Sequence, residues 1–301
     1  MFNEESYKRH GQWYNSQFPD EKSKIAQLQT HQLNKSGRDI GQWLQNLFFG
    51  CIDPLTSETA QRWLTIGDAY GFDAQYLLGK GQLATASDLN TDFLKLAKNE
   101  GIIDDFSAQN AELLSYPANT FDYLLCKEAY HHFPRPYAAL YEMIRVAKKG
   151  MVLIEPQDPI SKMPLLLMLM NLLSGFKDKF SSKIWKNRFS YEPVGNFVYK
   201  ISAREMEKFA AGLNLPLVAF KGINPNYYFK GAEQQESSLK KRRFRWIYIR
   251  KKFADLGVFL KLIPSQVLCA IAFKELPEEG LLKELKKAGY QLVYIPKNPY
   301  A

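Results

Sequence analysis

The chain has 301 residues, 46% hydrophobic and 24% charged, which suits one large globular domain with an insertion, or two small domains. A core of this size needs no disulfide or metal, and Cys51, Cys126 and Cys269 are odd in number, far apart and in no Cys-x-x-Cys pair; a zinc or iron–sulfur site is not expected, and a reducing, cytoplasmic compartment is. The net charge of +9 is local, because Lys240–Lys252 (KKRRFRWIYIRKK) carries eight basic residues and no acid.

The N-terminal stretch is polar and has no apolar run of the kind a secretory signal needs. Residues 1–60 alternate polar stretches with short apolar clusters such as IGQWLQNLFFG, and read as N-terminal helices preceding the main fold. From residue 62 strand-like and helix-like segments alternate. RWLTIG is a strand, DAQYLLGKG a short helix closing at glycine, and QLATASD a strand. TDFLKLAKNEG is a helix with Thr91 or Asn90 as N-cap and Gly101 past its end. FSAQNA is a weak strand and FDYLLCKEA a strong one. PYAALYEMIRVAKKG is a helix with Leu140, Met143, Ile144 and Ala147 on one face, and GMVLIEP is a fifth strand. Five strands separated by helices predict a parallel sheet covered on both faces, with ligands at the carboxyl ends of the strands.

The rhythm breaks from Asp158 to Lys200. The run MPLLLMLMNLLSGF, Met163 to Phe176, has 14 uncharged residues, too few for the roughly 20 of a membrane span. It reads as a buried or cap helix, with membrane contact as the alternative. SAREMEKFAAGLN then opens on a capping box, Ser202 and Glu205. LPLVAFKGI and QVLCAIAFKE are strands with the basic helix between them, and a final helix and strand follow.

The chemistry gathers at the strand ends. Gly67 and Gly71 follow the first strand and let the backbone turn tightly beside a ligand, although a lone G-x-x-x-G also serves an ordinary tight turn. Asp88 ends the second strand about twenty residues on, where a carboxylate can accept both hydroxyls of a ribose; it can equally cap the next helix. Gln109 to Glu112 end the third strand, and Asn110 suits an adenine edge. The fourth ends in CKEAYHHF.

Residues 62–156 resemble a class I S-adenosylmethionine-dependent methyltransferase, of the small-molecule, type 11-like group. The resemblance is carried by Phe121, Asp122, His131, His132, Leu140, Glu142, Arg145, Gly150, Glu155 and Pro156, in order and with ordinary spacing. It implies a Rossmann-like α/β fold: a seven-stranded, mostly parallel sheet with helices on both faces and a helical cap. It implies a methyltransferase domain over 61–276, with insertions at about 158–200 and 231–262, and a helix–strand extension over 277–301. It also implies S-adenosyl-L-methionine as cofactor. Thr65, Gly67, Asp68, Ala69 and Gly71 would lie along its methionine part. Asp88 would take the ribose, Leu89 the adenine face, Asn110 and Ala111 the adenine amino edge, and Lys127 the methionine side through its backbone.

Two positions depart from the family's loop. Thr65 stands where an acid is usual, and Ala69 replaces the middle glycine. Alanine is tolerated there if its φ is negative, and Asp68 offers a carboxylate one step into the loop. A dehydrogenase is disfavoured, since G-x-G-x-x-G from Gly67 would need glycines where Ala69 and Phe72 stand.

Methyl transfer requires positioning in line, and an oxygen or nitrogen acceptor also needs a base. His131 and His132 are the candidates, with purely structural roles as the alternative; no metal site is expected. The apolar run, with Trp185, Phe189, Tyr191, Phe197 and Tyr199, suggests a lid for an apolar or aromatic acceptor. The basic helix over 235–260 would close the other side. Phe244, Ile247 and Tyr248 at helical spacing make Lys240–Lys252 a solvated helix face, with an anionic acceptor, acidic partner or membrane surface as alternatives and nucleic acid not expected. KNPY, Lys297 to Tyr300, resembles a DNA-methylating signature but stands far from the fourth strand. A non-catalytic member of the fold, or an RNA or DNA methyltransferase, are the competing readings.

Overall fold

A computed structural model describes residues 2–33, 38–56, 59–158, 168, 172, 190–192 and 195–300. Three helices open the chain: α1 (Phe2–Gln17), α2 (Glu21–Leu33) and α3 (Ile40–Phe49). They are followed by β1 (Arg62–Ile66), α4 (Phe72–Gly79), β2 (Leu83–Asp88), α5 (Asp92–Asn99), β3 (Asp105–Ala108), β4 (Phe121–Lys127), α6 (Pro136–Val146) and β5 (Ala147–Pro156). The second half adds α7 (Ala203–Gly212), β6 (Leu217–Ile223), α8 (Arg242–Phe259), β7 (Val267–Phe273), α9 (Glu279–Lys287) and β8 (Gln291–Tyr294).

All eight strands form one sheet in the order β3-β2-β1-β4-β5-β7-β6-β8. The first five pair in parallel, and β7 runs antiparallel between β5 and β6. The C-terminal extension therefore does not stand apart: β8 joins the sheet edge antiparallel to β6, one strand beyond the seven expected. Tyr290, just before β8, donates its hydroxyl to the Cys51 carbonyl at 2.5 Å and fastens this edge to the core.

Alternation along each strand feeds two cores. Trp63, Leu125, Val152 and Ile271 face one side with α3, α4 and α5. Leu64, Ile66, Leu124, Leu153 and Ala270 face the other, under α6 and α7. Strands covered on both faces explain the near-continuous apolar runs.

Local details match the residue chemistry with some shifts. The Ser202–Glu205 capping box forms at α7. Asn90, rather than the Thr91 side chain, accepts from the Asp92 backbone N–H at the start of α5. α6 stops at Val146, because Ala147 already pairs with Phe121 as the start of β5. No helix of the described residues is long and apolar enough to cross a membrane. Within Met163–Phe176 only Met168 and Leu172 are described, both exposed; the rest of that run, with Trp185 and Phe189, lies outside the described residues.

Candidate active site

One cavity of about 1300 Å³ opens above the carboxyl ends of β1, β2, β3 and β4. Of the residues singled out in the sequence, Gly67, Asp68, Ala69, Asp88, Leu89, Asn110, Ala111, Lys127 and His132 border it. Thr65, Gly71 and His131 do not.

The loop after β1 explains two of these exceptions. Gly67 has φ 69°, and a Cβ there would collide with the Ala129 Cβ of the β4 loop. Gly71, φ 77°, is the N-cap of α4, where a Cβ would press on Ile103. It shapes the turn from behind. Ala69 is not in the left-handed region, so its methyl group costs the backbone nothing. Thr65 is fully buried and donates its hydroxyl to Asp68 Oδ2 at 2.9 Å. The Asp68 carboxylate also accepts from the backbone N–H groups of Ala74 (2.9 Å) and Asp73 (3.3 Å), so it caps α4. Thr65 is thus a support for Asp68, not a ligand contact, and the oxygens of Asp68 are already engaged.

Asp88 borders the cavity beside Tyr14 and Tyr70, and burial pushes its carboxyl up to about 7. Its backbone carbonyl accepts from Gln109, which draws the end of β3 alongside. Asn110 Oδ1 accepts from the Glu112 N–H at 2.9 Å, closing a tight turn.

At the end of β4, Lys127 does more than present its backbone. Its ammonium pairs with Asp73 at 3.2 Å, both side chains nearly buried, and sits 5.5 and 5.4 Å from the ring centroids of Phe48 and Phe49. Burial raises Asp73 to about 7 against the pull of Lys127. Despite its own burial Lys127 is held above its usual value, chiefly by Asp73 and Glu128. Glu128 follows with φ 52°, a strained non-glycine turn at the cavity wall.

The adjoining histidines part company. His131 turns inward, and its Nδ1 meets the fully buried Glu155 at 2.6 Å. His132 turns to the cavity, its Nδ1 against Glu192 Oε1. His10, from α1, lies with its ring centroid 5.7 Å from that of His132. Ligand atoms of His10, His132 and Glu192 all lie within 4.8 Å of one another, a donor set able to hold a divalent metal where the sequence suggested none. Burial and the neighbouring His132 lower the pKa of His10.

The roof of the cavity is α1, which contributes Tyr7, His10, Trp13 and Tyr14. Tyr14 and Phe18 pack edge-on against Phe93, and Ser6 Oγ donates to Asn196 Oδ1 at 2.6 Å. Asn196 in turn donates to the His132 carbonyl at 2.7 Å. The described part of 158–200 therefore borders the cavity through Glu192 and Asn196, while Tyr191 is exposed and stacks edge-on with Phe197 away from the lining. The basic helix α8 does not close the other side; it packs on the far face of α3, whose Gln45, Asn46 and Phe49 line the cavity. Lys297–Tyr300 follow β8 at the sheet edge, four places from β4, with Tyr300 exposed.

The sequence announces an N-terminal helix but not its place over the cavity, and it does not single out Asp73, Glu192 or Asn196. The aromatic and histidine content of YKRHGQWY, set in a polar helix, was the available signal for α1.

Residues 64–154 match the family model described as a methyltransferase domain. No curated protein matches the chain. Solved structures similar to it include the 1,6-didemethyltoxoflavin-N1-methyltransferase of Burkholderia thailandensis, at 13% identity and a TM-score of 0.47, covering 83% of this chain and 88% of that one. Another is a SAM-dependent methyltransferase of Methanosarcina mazei, at 17% identity and a TM-score of 0.43, covering 73% and 95%. Residues 64–154 thus carry a methyltransferase domain, of the kind that uses S-adenosylmethionine.

Proposed function

We propose that the chain methylates a small apolar or aromatic molecule held between the strand ends and α1. The observation that carries this is the cavity itself. At about 1300 Å³ it exceeds the ~300–1,000 Å³ typical of a site for one ligand, and Tyr7, Trp13, Tyr14, Phe49, Tyr70 and Phe133 face it. It has room for a second molecule beside the cofactor.

The residues present fit the cofactor. Asp88 offers a carboxylate to the ribose and Asn110 an amide to the adenine, and Leu89 adds an exposed apolar side chain to the same cavity. The Asp73–Lys127 pair offers one charge of each sign to a zwitterionic amino-acid end. Gly67 allows close approach of the backbone. When bound, the cofactor supplies a methyl group on a sulfonium, already activated for displacement.

The chain's own work is then to hold the acceptor in line, keep water out and take up a proton. His132 is the proton acceptor in this reading, because its ring borders the cavity while Glu192 fixes its Nδ1 side. His131 is a positioning residue beneath it. We read residues 1–60 as the roof of the 61–276 domain, and 277–301 as an added sheet edge.

The test is transfer of isotope-labelled methyl from S-adenosylmethionine to a panel of planar aromatic and aliphatic hydroxyl, amine and carbon acceptors. His132→Ala should lower kcat by roughly 10²–10⁴ while leaving affinity for S-adenosylhomocysteine within a few-fold. Label appearing only in protein or nucleic acid, and in no small acceptor, would sink the proposal.

A further inference from the structure

Helix α8 is apolar on two opposite faces. The inner face carries Phe244, buried 5.0 Å from the ring of Trp43 and packed with Ile40 and Leu44 of α3. Lys251 and Asp255, also turned inward, pair at 2.8 Å, and Asn224 donates to the same aspartate. The helix is therefore fixed to the body of the protein.

The outer face, expected from the sequence to be solvated, also carries large apolar side chains. Trp246, Ile249, Phe253, Leu256 and Leu260 recur at spacings of three and four, so they form one stripe. All five are exposed, Phe253 to 70% and Trp246 to 59%. Beyond the helix Leu262 and Ile263 are exposed as well. At 100° per residue, Arg245 and Lys252 flank the stripe on one side, and Arg243 and Arg250 on the other. No salt bridge among the described residues holds Arg242, Arg245, Arg250 or Lys252.

We propose that this outer face of α8 docks the protein on the surface of an anionic phospholipid bilayer, with the stripe in the headgroup–acyl boundary and the flanking arginines and lysines on lipid phosphates. A contiguous apolar stripe of this kind on a soluble surface marks an interaction site. An apolar stripe bordered by Lys and Arg, with tryptophan within it, has the composition of a helix lying in a membrane interface. Charge decides between occupants. A second copy would set Arg243, Arg245, Arg250 and Lys252 against the same four, whereas an anionic bilayer complements them. Nucleic acid would match the charge but leave the apolar stripe without a partner. The inference goes beyond the methyl-transfer reading and stands whether or not the cavity methylates anything.

The experiment is co-sedimentation of the full-length chain with phosphatidylcholine vesicles, alone and mixed with phosphatidylserine. Retention on the mixed vesicles, falling with added salt, is expected. Arg245→Gln, Arg250→Gln and Lys252→Gln together should weaken it by about a hundredfold, near fivefold per lost charge. Trp246→Ser with Phe253→Ser should abolish it while leaving the circular dichroism spectrum and melting temperature unchanged, since both residues face solvent. A blue shift of tryptophan fluorescence on vesicles, reduced in Trp246→Phe, would place the stripe itself in the bilayer. No retention on mixed vesicles overturns the proposal, as does retention indifferent to the serine changes. Sedimentation as a dimer that the serine changes dissolve also overturns it, in favour of a second copy. Binding to RNA that outcompetes vesicles and ignores those changes overturns it in favour of a polyanion.

Discussion

The Glu155 carboxylate at the end of β5 meets His131 Nδ1 at 2.6 Å, and the same side chain accepts the backbone N–H groups of Ala129 and Tyr130 at 2.9 Å each. A fully buried acid thus holds the turn that presents His132 to the cavity. Glu155→Gln keeps the shape but turns one acceptor into a donor facing N–H groups. Loss of about 1–3 kcal/mol of stability is expected, read as a lower urea midpoint. Burial alone would lower His131, but Glu155 overrides it and the imidazole is raised. A raised group contributes stability that is full below its unfolded value, ~6.5, and is lost as pH rises through the folded value. The urea midpoint should fall as pH rises above that point, and this slope should flatten in Glu155→Gln. An equal slope in both proteins would remove His131 as its source.

Cofactor affinity should depend on pH through Asp88. Burial holds its carboxyl near 7, and a carboxylate must be ionised to accept from two ribose hydroxyls. One-proton linkage then predicts roughly tenfold weaker binding of S-adenosylhomocysteine one unit below that value than one unit above it. Titration calorimetry across this range checks it. Asp88→Asn should bind more weakly at high pH and lose most of the dependence. A profile unchanged by Asp88→Asn would shift attention to Asp73, whose carboxyl is also raised to about 7.

The loop after β1 makes a prediction against its family pattern. Ala69 already has a permitted backbone, so restoring glycine there should not improve cofactor affinity beyond a few-fold. It should cost ~0.4–1 kcal/mol of stability through the freer unfolded chain. Gly67→Ala faces both a left-handed φ and the Ala129 methyl group, and should lose cofactor binding outright. Thr65→Val removes a buried donor to Asp68 and should cost about 1–2 kcal/mol with little direct effect on the ligand. Thr65→Asp, the residue type usual at that place, should be worse, because it sets a second buried carboxylate beside Asp68. Thermal melts and ligand titrations on the four variants separate these effects.

What the sequence disclosed followed from the range of each interaction. The five parallel strands, the capping box at Ser202 and the place of Asp88 and Asn110 at the strand ends are written in residues a few places apart, and they were legible. The eighth strand's place in the sheet is not written locally, because its pairing with β6 depends on contacts more than seventy residues away. His131 and His132 were indistinguishable by position. What separates them is Glu155 on one side and Glu192 on the other, 24 and 60 residues on. The stripe on α8 is masked along the chain because basic residues stand between its members and separate from them only around the helix.

The last prediction concerns α1, whose hold on the cavity rests on Asn196. That side chain is almost fully buried, accepts from Ser6 and donates to the His132 carbonyl, so it ties the roof to the β4 loop. Asn196→Leu keeps the branching of the side chain but leaves both partners unsatisfied, at a cost of about 1–3 kcal/mol. The melting temperature will drop, but the informative readouts are local. Trypsin cleavage at Lys22 and Lys24, just past α1, should accelerate, and S-adenosylhomocysteine should restore less protection than in the unaltered chain. KM for an acceptor should rise more than cofactor affinity falls, because α1 covers the cavity while the residues proposed to hold the cofactor lie on the strand-end loops. Ser6→Ala removes only one of the two bonds and should give a smaller shift in the same direction. If cleavage near Lys22 is unchanged in Asn196→Leu, then α1 is held by its aromatic contacts with Phe93 and Tyr70 instead. Tyr14→Ala with Phe18→Ala becomes the pair that opens the roof.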